Sequence, residues 1–170
     1  MDLLIVPVPL FNQDMAVEAY YFRHQKGNDI LEPSQGSGVL DGAMLSAPLQ
    51  MLEKVGIEAL TMGKPMFVPI DNYMLLAALE LQCSQPAEKI VFLLDGNVCM
   101  EEAYITNMNR LRGLGYRFAL QKFDNIAAYK PVLDGCSFVF YDYRRFQEPA
   151  YELLRVELAR QYPKMQSVYS

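Results

Sequence analysis

The residues with the most chemical potential stand where apolar runs end. Gln121 and Lys122 follow "RFAL", Asp95 follows "KIVFLL", Asp142 follows "FVFY", and Arg23 and His24 follow "EAYYF". Carboxylates gathered at strand ends can do acid–base work or hold a hard cation. Asp95, Asp124 and Asp142 are the candidate set for that chemistry. An arginine fork suits a phosphate, and it can equally cap a sheet end by pairing with Asp95 or Asp142. Gln121 and Lys122 offer a neutral amide and an ammonium, which is an odd polar ending to a buried strand. His24 is the only histidine. A lone histidine after a strand reads first as an edge residue.

Other motifs carry less. Cys83, Cys99 and Cys136 lie far apart and form no CxxC pair, which speaks against a zinc site or a disulfide framework and for a reducing compartment. "GSGVLDG" has the wrong glycine spacing for a dinucleotide fingerprint and no strand leads into it. "YDYRRF" mixes aromatics with arginines, as single-stranded nucleic acid binders do. The formal charge of -5 and pI near 4.9 argue against nucleic acid and anionic membrane partners, so a barrel-mouth or surface reading is preferred.

The elements that must position these residues alternate. Hydrophobic residues make up 52% of 170, enough for one ordered domain with a sizeable core. Two apolar runs, residues 3–11 and 17–25, flank a short polar break and predict an antiparallel hairpin. Residues 26–46 read as a loop. Helical spacing over residues 48–63, 74–82, 101–116 and 148–162 alternates with short apolar strands at 65–70, 89–95, 117–123 and 137–143. Pro131 limits "IAAYKPVLDG" to a short helix. "KMQSVYS" starts one more strand. Strands apolar on both faces, separated by helices, define an α/β fold with a covered parallel sheet, either doubly wound or a β/α barrel. The opening run is broken by two prolines and reads as neither a signal peptide nor a span, so a cytoplasmic location is expected.

Five pieces in order, "VPVPLFNQDMAVEAYYFR", "GKPMFVPI", "KIVFLLD", "LRGLGYRFALQKFD" and "FVFYDYR", resemble the EAL domain family of cyclic di-GMP phosphodiesterase barrels. The nearest variety is the EAL half of proteins that join EAL to HDOD. The resemblance implies a TIM-type β/α barrel, and a site of two divalent metals held by carboxylates and an asparagine at its C-terminal face. The positions matching that site have changed. The signature glutamate falls on Ala19, the asparagine on Pro69, the next glutamate on Leu93, the paired aspartates on Gln121 and Lys122, and the strand lysine on Phe140. Arg23 and Asp142 are retained and could touch a ligand. Glu18 neighbours Ala19 but would face away unless the register slips. The tripeptide "EAL" at residues 58–60 lies in a helix and is coincidental.

Lys122 in a metal position would repel a dication. Two unit charges about 4 Å apart repel by roughly 4 kcal/mol at intermediate dielectric, about three orders of magnitude in affinity. The expectation is a single degenerate EAL-like domain over residues 1–170 with no catalytic residues, no metal and no cofactor. It would act through a protein partner or as a homodimer. The alternatives are a non-catalytic receptor for cyclic di-GMP or another nucleotide, and a divergent phosphodiesterase. A complete barrel of this kind usually needs about 250 residues. The chain is therefore expected to be an incomplete or truncated barrel, a fragment of a longer signalling protein, with sheet edges in need of cover.

Overall fold

A computed structural model describes residues 3–26 and 42–170. Strands β1 (Leu3–Phe11) and β2 (Val17–Lys26) form the expected antiparallel hairpin, with Leu3 opposite Lys26 and Phe11 opposite Val17. Asn12 shapes the turn, because its side-chain oxygen accepts from the N–H groups of Asp14 and Ala16, both at 3.0 Å.

Helix α1 (Gly42–Val55) begins inside the stretch read as loop. The glycine-rich motif at residues 36–42 otherwise lies outside the described residues. The single helix expected over 48–63 is two, α1 and α2 (Ile57–Thr61), because Gly56 between them takes φ 84°, a conformation that glycine adopts without penalty. Strand β3 (Met66–Pro69) follows. The helix expected over 74–82 is replaced by a short α3 (Asn72–Leu75) and one tight turn at Leu79–Leu81. Asp71 caps α3 early, accepting from Met74 N–H at 2.8 Å. Asn107 then donates to the carbonyls of Leu75 and Ala77, at 2.5 and 3.2 Å, which takes up acceptors a longer helix would use.

The remainder alternates as read: β4 (Ile90–Leu94), α4 (Glu102–Gly113), β5 (Arg117–Leu120), α5 (Lys130–Leu133), β6 (Phe138–Tyr141), α6 (Pro149–Gln161) and β7 (Gln166–Tyr169). Strands β2 to β7 are parallel neighbours in chain order, and β1 is antiparallel to both β2 and β7. The sheet is thereby a closed seven-stranded barrel. The cover expected for the sheet edges comes from within the chain: the first strand of the hairpin reaches round to the last strand. Among the described residues that seam is a single register pair, Phe11 opposite Tyr169. Elsewhere β1 carries Pro7 and Pro9, which have no N–H to offer a further strand and so discourage edge pairing.

Two layers of core follow from strand alternation. Leu10, Ala19, Phe67, Val91, Leu93, Ala119, Phe138 and Val168 meet inside the barrel. Val68, Phe92, Phe118, Leu120 and Val139 face outward into the layer shared with the helices, with Leu52, Met108, Leu111 and Leu158. Phe67 and Phe138 pack edge to face across the interior, 5.1 Å between ring centroids. Phe67→Ala is expected to cost about 3–5 kcal/mol, as for other buried aromatic truncations. Val156→Ala, at a position 54% exposed, should change stability by under about 0.5 kcal/mol. Urea unfolding followed by circular dichroism reads both.

Candidate functional site

The C-terminal ends of the parallel strands surround a cavity of about 540 Å³. It gathers five of the eight positions picked out from sequence, Arg23, Gln121, Lys122, Phe140 and Asp142. Tyr21, Tyr143, Arg144, Arg145, Tyr151 and Ser170 complete the lining. The other three positions lie lower or aside. Ala19 and Leu93 are buried in the barrel interior, and Pro69 is half-buried at the end of β3. Glu18 does sit at a slip in register, between Leu10 and Phe11, yet Ala19 keeps the interior place. Glu18 accepts from the Asn12 side chain at 3.3 Å, at the hairpin turn and away from this mouth.

The local backbone explains Gln121 and Lys122. Strand β5 ends at Leu120, and Gln121 still donates its N–H to Leu94 O at 3.0 Å. Lys122 then takes φ 55°, left-handed backbone that a lysine rarely adopts. The turn sends Phe123 into the core, with its ring 5.7 Å from that of Tyr129, and leaves Lys122 and Asp124 exposed. Gly96 accommodates the turn from the β4 side. A Cβ there would stand 2.2 Å from Lys122 O, and Tyr129 donates its hydroxyl to Gly96 O at 2.7 Å.

The three acids proposed for acid–base work are otherwise engaged or apart. Asp142 accepts two side-chain bonds from Arg144, 2.9 and 2.7 Å, and its backbone N–H at 3.0 Å. The Arg144 hydrogen bonds hold the Asp142 carboxyl below the usual aspartate range. Asp95 accepts from Asn97 N–H at 2.8 Å in its own loop, and Asp124 is exposed. Arg23 pairs with neither Asp95 nor Asp142, contrary to the capping alternative, since Arg144 already holds Asp142. Arg145 pairs with Glu148 and lies over the Tyr151 ring at 4.4 Å. Among the described residues Arg23 and Lys122 form no ion pair. The cysteines are free, and burial pushes the Cys83 and Cys136 thiols up to about 11 and 12, so both stay protonated and weakly nucleophilic near neutral pH. The side chain of His24 lies outside the described residues.

The mouth therefore presents four cationic side chains and one carboxylate, itself held by Arg144. This donor set does not fit a hard divalent cation, which wants several free anionic oxygens. Among the described residues no three His, Cys, Asp or Glu side chains stand together as a possible metal site. Sequence reading found Arg23, Gln121, Lys122 and Asp142. It missed the part of Arg144, Arg145 and Tyr151, although "YDYRRF" marked two of them as surface or mouth residues.

Closed barrel, opening hairpin and a site region at the C-terminal strand ends together make this an EAL-like β/α barrel fold. The Bacillus subtilis YkuI protein, which has an EAL domain and was solved with cyclic di-GMP and calcium, is similar over 99% of this chain and 48% of its own, at 14% identity and TM-score 0.72. The PaMucR phosphodiesterase in complex with cyclic di-GMP is similar over 95% of this chain and 81% of its own, at 12% identity and TM-score 0.69. The EAL enzyme Bd1971, bound to cAMP and cyclic di-GMP, matches over 96% and 53%, at 12% identity and TM-score 0.65. The chain spans about half the length of the YkuI and Bd1971 chains. No family model matches the sequence. No curated protein matches it either. None of the helices among the described residues is long and apolar enough to cross a membrane.

Two tests follow from this geometry. Gly96→Ala should destabilise the fold by more than about 2 kcal/mol, because backbone must move to admit the Cβ. Lys122→Gly should instead be neutral or stabilising, by up to about 1 kcal/mol, through relief of the left-handed backbone. The second test is electrostatic. Asp142 has a depressed folded pKa, so its stabilising contribution is present above pH 3.8 and is lost as pH falls through the folded value. Arg144→Gln should raise the Asp142 midpoint, read by carboxyl carbon NMR, and shrink that acid-side loss.

Proposed function

We propose that this chain is a catalytically silent EAL-like regulatory module that works through contact with a protein partner or a second copy. The observation that carries the reading is the absence of anionic side chains at the positions where the EAL resemblance puts metal ligands. Ala19 and Leu93 are apolar, Gln121 is neutral, Lys122 is cationic, and the retained Asp142 is held by Arg144. Phosphodiester hydrolysis by two metals needs carboxylates free to bind them and to activate water. The EAL–HDOD kinship and a cytoplasmic setting belong to the same reading.

A second reading, a nucleotide receptor without catalysis, is favoured by one feature. Arg23 and Lys122, unpaired among the described residues, share the mouth with Tyr21, Phe140 and Tyr143. Such a lining suits the phosphates and bases of a nucleotide. Incubation with cyclic di-GMP and magnesium or manganese, followed by chromatography, should give no linear dinucleotide above the rate without protein. Metal-dependent cleavage would end the silent-module proposal. Calorimetry then separates the two readings. Binding that persists in a chelator and is lost in Arg23→Ala with Lys122→Ala selects the receptor. A null titration leaves the contact role, for which sedimentation should detect a dimer or a bound partner.

A further inference from the structure

The opposite end of the barrel carries a second cavity, of about 510 Å³, below β5, β6 and β7 and beside the end of α6. Arg117 opens β5 there, on the alternation that places Ala119 inside the barrel. Its guanidinium lies over the Phe138 ring at 5.1 Å, and Nη2 donates to Glu88 O at 2.8 Å. Its Nε is buried and has no hydrogen-bond partner among the described residues. Native proteins seldom leave a buried N–H unmatched, and an arginine edge with an unspent Nε–H is shaped for an oxyanion. No carboxylate among the described residues forms an ion pair with Arg117. Glu18 is felt only as a favourable charge at a distance.

The rest of the lining agrees with that ligand chemistry. Lys164 adds a second cation and has no ion pair among the described residues. Asp134, the one acid in the lining, is already held by Lys130 at 3.0 Å and by the Tyr162 hydroxyl at 2.8 Å. Ser137 and Gln166 supply neutral donors, and Met165 with the Tyr162 ring supplies an apolar wall. The local charge is positive in a chain whose net charge is -5. The cavity exceeds a bare phosphate ion in size, and two cations suit a dianion better than a carboxylate.

We propose that this basal cavity binds a small organic phosphate monoester. The Arg117 guanidinium and Lys164 would take the phosphate, and the Tyr162 side would take the organic body. The site is separate from the mouth and does not rest on the reading given above. Phenyl phosphate is the probe, titrated to about 10 mM into the 15N-labelled 170-residue chain while the Arg117 Nε–H resonance is followed. The expected result is a saturable shift of that resonance, at least about threefold tighter than with inorganic phosphate or with benzoate. Lys164→Met should weaken binding about threefold or more without altering the rest of the spectrum, and Arg117→Met, followed through the backbone amides of Ser137 and Gln166, about tenfold or more. Should Arg117→Met fail to fold, Lys164→Met decides. No saturable shift, equal binding of benzoate, or unchanged affinity in Lys164→Met would each overturn the proposal.

Discussion

A closed barrel of seven strands has an interior that only side chains can fill, and that constraint governs this protein. Every inward position must be sized to its neighbours across the lumen. Phe67 and Phe138 supply the bulk, while Ala19 and Ala119 leave room for them. An alanine in the place where the EAL resemblance puts a glutamate is thus part of the packing. Putting a carboxylate back at residue 19 would bury a charge among hydrocarbon side chains, which is costly unless a cation meets it.

The same packing sets the character of the two barrel ends. The interior is apolar, so polar chemistry is pushed out to the rims. At the C-terminal rim the polar side chains are mostly cations, and the one carboxylate is satisfied from within its own turn. At the opposite rim Arg117 stands at the edge of the apolar layer with a ring beneath it and an unspent donor. An acidic chain thereby presents two cationic concavities. Average charge sets its long-range field, while local charge decides which small ions it can hold.

Much of this was legible in the residues. Strands β1, β2 and β4 stood out because their apolar runs are bounded by polar breaks, and the hairpin turn announced itself in "NQDM". The two faces of each parallel strand were legible because both must be apolar. What failed had tertiary causes. The helix expected through residue 82 stops because Asn107, distant in sequence, takes its carbonyls. The helix over 48–63 breaks at one glycine whose φ no periodicity encodes. Closure was invisible, since nothing in "PVPLF" says that Phe11 meets Tyr169. Around the site, the residues at 19 and 122 could be set against the pattern of the resembled family. The grip of Arg144 on Asp142 could not, although only one residue separates them.

The seam between Phe11 and Tyr169 also bears on the order in which the molecule assembles. The hairpin closes over a short turn, and each parallel step joins strands close in sequence, but the seam joins the two ends of the fold through a single rung. Pairings of high sequence separation incur their loop entropy before any contact offsets it. The ring is therefore expected to complete only after its arc is built, onto a last strand whose Tyr169 ring is already seated against the β6 side, 5.7 Å from Tyr141 and 5.6 Å from Phe146. Topologically this barrel is a clasped bracelet, and its clasp is a single rung between its first and last strands.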